Sequence, residues 1–396
     1  MGRSFDVSAV EQLEPRLLMS GNVSVVPKGS NISITGDEAN QQITLTIVDG
    51  KLNVTPDANT SVGGGVLGQA AQFDIPRNMT ISMGEGDDSV TLTGVASGDT
   101  ALPFAITGKL TILAGGGHDT VDLRGVQAAD LLVDMGECVA DQNQWLSIGP
   151  YVGAVSDVQP RVARNLTVSG GSGNDRADIY GIYVGGNVSM SMGDGSDIVY
   201  FNPAEGNTDF DMQVRRNVTV TDASVHLDAE YGGGKVIVGG SATFHLSAAA
   251  AGVTADADTV TLEVKRNFTV KAESAGETTI RLKNAVIGGK LMIQTGASAD
   301  TISILGTHAK SAQVKTAAGA DNVTVGVGRN DLWSDVTGKL LVDLGDDADT
   351  LSLSTTELGS LLANAGNGGD DNDTLVREEA TLDILKATQI LEFEVL

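Results

Sequence analysis

Arg77-Asn78-Met79-Thr80-Ile81-Ser82-Met83-Gly84-Glu85-Gly86-Asp87-Asp88-Ser89-Val90-Thr91-Leu92 decides the fold of this 396-residue chain. Met79, Ile81 and Met83, then Val90 and Leu92, alternate with polar residues, the period-two pattern of strands with one buried face. Between the two strands lies a turn of glycine and acidic residues. Glycine reaches the positive φ angles that tight turns need, and aspartate bonds nearby amides. Two such short strands cannot enclose a core alone, so the segment has to be one unit of something larger.

The unit recurs along almost the whole chain. Ala114-Gly115-Gly116-Gly117-His118-Asp119, Gly170-Gly171-Ser172-Gly173-Asn174-Asp175 and Met192-Gly193-Asp194-Gly195-Ser196-Asp197 repeat the turn, weaker copies end at Asp258, Asp300, Asp321, Asp349 and Asp373, and a worn one spans residues 36–40. Residues 131–137 read like residues 340–346 and supply a further repeat ending near Asp141. The spacing of roughly 25 residues falls in the range of solenoid repeats. A second signature precedes the turn: Asn78, Asn165, Asn187, Asn217 and Asn267 each stand before an alternating strand, with Lys109, Lys290 and Lys339 as variants. Asparagine tolerates a left-handed corner, and stacked asparagines bond from repeat to repeat as a ladder. These features predict an all-β fold, a right-handed parallel β-helix with coils of about 25 residues. Residues 21–396 form its single domain, and residues 1–20 a short N-terminal cap segment.

Composition narrows the function. With 51 acidic against 25 basic residues the net charge is -26, which opposes binding to nucleic acid or anionic membranes. One cysteine, Cys138, and four histidines exclude an internal disulfide and a thiolate or imidazole metal cluster. No run of 18 apolar residues is present, so no membrane span is expected.

The N-terminal stretch Val10-Glu11-Gln12-Leu13-Glu14-Pro15-Arg16-Leu17-Leu18-Met19-Ser20 resembles the LEPR-XLL motif of large repeat-containing surface proteins of planctomycete-type bacteria, matching through Leu13, Glu14, Pro15, Arg16, Leu17 and Leu18. The resemblance implies surface sorting and an extracellular or cell-envelope location. A simpler reading makes the segment a cap on the open end of the stack. The Gly/Asp turns resemble the haemolysin-type (RTX) nonapeptide, which binds calcium between neighbouring turns. Here the turns recur once per coil rather than every nine residues, so the flat roll of that family does not carry over.

By that resemblance the calcium candidates are Asp88 with Asp119, Asp175 with Asp194 and Asp197, and Asp349 and Asp373. The turns at Asp300 and Asp321 keep too few acidic neighbours. The alternative is that each aspartate bonds the amides of its own turn.

No catalytic pair can be singled out, because the aspartates sit in turns shared by every coil. The leading expectation is a non-catalytic structural or adhesive surface protein, calcium-stabilised. The alternative is a polysaccharide-binding or polysaccharide-cleaving β-helix acting on an extracellular glycan through an aromatic loop. The candidates for that loop are Trp145, Tyr151, Tyr200, Phe201 and Trp333, where the repeat is interrupted. The terminal strands lack a polar cap, which makes self-association through the solenoid ends a further expectation.

Overall fold

The structure is a computed structural model and describes residues 21–395 except 98–99, 139–142, 153–156, 204–209, 228–233, 247–251, 256–259, 273–275, 328–333, 355, 367–372, 378–381, 385–388 and 392–393. The motif at 13–18, Trp333 and Asp258 lie outside the described residues. Among the described residues every regular element is a strand, and most strands pair in parallel.

The pairing runs in three rows. Asn78–Glu85, Lys109–Gly116, Asp130–Glu137, Leu166–Ser172 and Val188–Asp194 pair successively in the first. Ser89–Thr93, Thr120–Arg124, Asn143–Gly149, Asn174–Tyr180 and Ile198–Asn202 form the second. The third was not legible in the sequence reading, which saw two strands per repeat. It begins with very short strands such as Val126–Ala128, Arg161–Val162, Tyr183–Val184 and Met212–Val214 and lengthens to five residues at Gly234–Val238 and Val260–Val264. Two or three residues are too few to show a period. Farther along, the third-row and first-row strands fuse, as in Val286–Thr295, with a register shift between Ile287 and Lys290. The irregularity bends the chain where the lysine corner stands.

Register explains why alternation was so informative. Met79, Leu110, Leu131, Leu166, Val188 and Val218 are successive partners in the first row, and Val90, Val121, Leu146, Ala177 and Val199 in the second. All of them are buried in one continuous core. A slip of one residue would turn each set outward.

The first edge is built differently. Gln42–Val48 and Lys51–Pro56 pair antiparallel about Asp49-Gly50, and Ala71–Asp74 adds a further antiparallel strand. Asp49 and Gly50 both have positive φ, at 51° and 73°, as a two-residue hairpin turn requires.

The asparagine ladder is present, with a different cause for part of it. Asn78 Oδ1 accepts the Lys109 N–H at 2.8 Å, Asn165 the Asn187 N–H at 3.1 Å, Asn217 the Ser241 N–H at 2.9 Å and Asn267 the Lys290 N–H at 3.0 Å. None of these asparagines has a positive φ. They are selected as acceptors for the next repeat, not for a left-handed backbone.

Two glycines show what the turn demands. A Cβ on Gly115 (φ +113°) would sit 1.7 Å from the Gly84 carbonyl oxygen, and one on Gly136 would sit 1.8 Å from that of Gly115. Neighbouring repeats touch backbone to backbone there. Gly115→Ala is therefore expected to destabilise by ~3–5 kcal/mol in urea unfolding, combining strain and overpacking. Gly29 (φ +61°) has no atom within 4 Å of its Cβ position, so Gly29→Ala should cost only ~1 kcal/mol. Equal losses in the two variants would refute the close-contact explanation.

Candidate functional site

The acidic turns converge on a buried ladder of aspartates. At the end of each turn the chain enters a second-row strand, and the aspartate at that point turns its side chain inward. Asp88, Asp119, Asp175, Asp197, Asp300, Asp321, Asp349 and Asp373 are each at most 5 % exposed. The Asp88 N–H donates to Asp119 Oδ1 at 2.9 Å, Asp175 to Asp197 at 2.7 Å, Asp300 to Asp321 at 2.7 Å, Asp321 to Asp349 at 2.8 Å and Asp349 to Asp373 at 2.8 Å. Meanwhile the Asp88 carbonyl accepts the Thr120 N–H, and the Asp349 carbonyl the Thr374 N–H, both at 2.8 Å. Each aspartate therefore serves the neighbouring repeat. The expectation that it bonds its own turn is met only in part: the bonds above cross to the neighbouring repeat, while Gly171, Thr295 and Thr316 of the same turns also favour the ionised Asp175, Asp300 and Asp321.

This geometry revises the candidate set. Asp88, Asp119, Asp175, Asp197, Asp349 and Asp373 belong to the ladder, whereas Asp194 is exposed at the end of its strand. Asp300 and Asp321, set aside for having few acidic neighbours, occupy the ladder in full. Their spacing from Asp349 was the signal, since a structural acceptor needs no second carboxylate. At the repeat expected to end near Asp141, the ladder position belongs to Gln144. Its Nε2 donates to the carbonyls of Gly117 and Met135, each at 3.1 Å.

At several rungs a carboxylate oxygen is left over. Oδ2 of Asp88, Asp119, Asp197 and Asp349 is buried without a partner. Burial raises the carboxyl of Asp88 to about 7, of Asp119 to about 6, of Asp197 to about 6 and of Asp349 to about 8. Negative neighbours add to this, Asp119, Asp37 and Asp87 at Asp88 and Asp321, Asp373 and Asp347 at Asp349, against the lowering effect of the ladder amide. A proton on Oδ2 neutralises the group and makes it a donor. Gln144 shows an amide nitrogen donating to carbonyls from the same rung.

Calcium takes 6 to 8 oxygens. Several rungs offer an uncommitted carboxylate oxygen, and among the described residues no three acidic, histidine or cysteine side chains come together as a cation-holding group.

The aromatic candidates separate. Phe201 is buried in the core, so its ring is unavailable to a ligand. Tyr151 lies in a short strand paired with Asp157–Val158. Trp145 is 47 % exposed and projects from a second-row strand rather than a loop. Tyr200 stacks on His226 with ring centroids 4.9 Å apart. Searches against protein-family models, curated proteins and solved structures found no match to this chain.

A pH dependence follows. An unfolded aspartate titrates near ~3.9, and Asp88, Asp119, Asp197 and Asp349 titrate at about 7, 6, 6 and 8 when folded. Their contribution is full below the unfolded value and is lost as pH rises toward about 8, because the unfolded state releases its protons first. The melting temperature should fall by roughly 5–10 °C between pH 5 and 8.5. Asp349→Asn, which keeps the Oδ1 acceptor without a titrating group, should raise it at pH 8.5 and flatten the slope. A melting temperature that climbs across this window would contradict the protonated ladder.

Proposed function

We propose that this chain is a non-catalytic structural spacer, displayed on a cell envelope or released outside it, and that its three rows close into a right-handed parallel β-helix. The observation that carries the reading is the recurrence of the ladder in separate stretches of the chain, with Gln144 and Ala223 standing at rungs that lack the aspartate. The same amide-to-carboxylate bond recurs at distant points of the chain, and each repeat is bonded chiefly to its immediate neighbours. Such a stack lengthens by one strand spacing, ~4.8 Å, for every repeat added. Stiffness and reach come from that addition rather than from any one site. The resemblance of residues 13–18 to the LEPR-XLL motif supports the surface location, and the strongly acidic composition supports solubility as an extended rod.

Calcium enters this proposal at the rim of the turns. Glu137, Ser172 and Asp194 stand in register on successive repeats there. A higher melting temperature in millimolar calcium than in chelator, abolished by Asp194→Asn, is the expected result. An unchanged melt removes calcium from the proposal.

The spacer role is tested by changing the number of repeats. Leu166 and Val188 are register partners, so removing residues 166–187 joins equivalent points of adjacent repeats. The shortened protein should fold and, by electron microscopy, lose about 5 Å of length. Removing 11 residues from the same region should abolish cooperative folding. If the in-phase deletion also fails to fold, the modular spacer reading falls.

A further inference from the structure

The outer face of the second row carries one built cluster that neither the ladder nor the spacer role uses. On two of the adjoining strands the outward residues in register with Trp145 are small, Ser89 and then Thr120. Trp145 interrupts them. Although nearly half exposed, its indole is fixed, because Nε1 donates to Asp178 Oδ2 at 2.8 Å. Asp178 is only 1 % exposed and also accepts from Arg176 Nε at 2.9 and 3.0 Å. Arg176 in turn lies over the Tyr200 ring, 4.7 Å from its centroid.

An exposed tryptophan held by a buried carboxylate is a preorganised platform, since its rotamer freedom is already lost before any ligand arrives. Beside it, on the same strands, a cavity of 280 Å³ is lined by Asp122, Arg124, Ser147, Gly149 and Tyr180, among others. An apolar ring next to planar hydrogen-bonding groups matches a pyranose, which presents a C–H face for stacking and hydroxyls around its edge.

Charge selects among sugars. Arg124 is paired with Asp122 at 2.5 Å and Arg176 with Asp178 at 2.9 Å, so both guanidiniums at this face are already neutralised. The chain around them carries a net charge of -26, which repels acidic sugars. The cavity opens onto an exposed strand row, which admits an extended chain rather than a single enclosed sugar. We infer that this face binds a linear, uncharged polysaccharide, with Trp145 as the stacking platform and the cavity beside Tyr180 as the hydroxyl-binding pocket. The inference goes beyond the spacer role and does not depend on it. It also moves glycan recognition from the loops to the sheet face, and it involves no bond cleavage.

Isothermal titration of the full chain with cellohexaose, xylohexaose, mannohexaose and hexagalacturonate tests it. At least one neutral hexasaccharide should bind with Kd between about 10 μM and 1 mM. Trp145→Ala should weaken that binding by roughly tenfold or more, with the circular dichroism and melting curve of the parent. Trp145→Phe, which keeps an apolar ring but not the indole anchor, should fall between the two. Should Trp145→Ala fail to fold, Ser147→Glu, which puts an unpaired charge at the cavity, should abolish binding instead. No heat from any neutral sugar up to about 5 mM, tighter binding of hexagalacturonate, or equal affinity in Trp145→Ala would each overturn the inference. The repeat-deletion result is independent of these outcomes, so the two readings fail separately.

Discussion

A backbone N–H donated to the carboxylate of the following repeat's aspartate fastens this molecule around Asp88 to Asp119, Asp175 to Asp197 and Asp300 to Asp373. Parallel strands end at a turn, and at a turn the regular sequence of carbonyl acceptors stops. A buried amide left without an acceptor costs about 1–3 kcal/mol, and here that cost would recur at every repeat. The inward aspartate removes it at rung after rung. The Gly/Asp composition of the turn then has one cause: aspartate supplies the acceptor, and glycine lets the neighbouring backbones approach closely enough to use it.

This solution has a consequence for charge. A carboxylate that caps an amide with one oxygen brings a second oxygen into the interior, where desolvation penalises the ionised form. The row is therefore a set of groups whose protonation is tied to folding. The asparagine corners solve the same end-of-strand problem with a neutral side chain at the surface. Aspartate at the interior rung is the choice that makes stability sensitive to pH.

Much of the architecture was legible in the sequence because its causes are local and repeated. Period-two alternation around Met79 and Val90 fixed which residues face inward, and the recurrence of one turn showed that the units are repeats of one another. The third row escaped notice because strands such as Tyr183–Val184 are too short to carry a pattern. The ladder escaped for another reason. An aspartate bonding its own turn and one bonding the next repeat have identical sequence signatures, so Asp300 and Asp321 looked like worn copies while occupying full rungs.

The sequence by itself determined the all-β repeat, the inward alternation and the acidic surface, since each depends on residue type and spacing alone. Only the tertiary structure decided which oxygen accepts which amide, that Gln144 holds the rung expected near Asp141, and that Trp145 stands on the sheet face anchored to Asp178. Those facts depend on which side chains become neighbours when repeats 21 or more residues apart are laid side by side, and spacing along the chain does not specify the direction in which a side chain reaches.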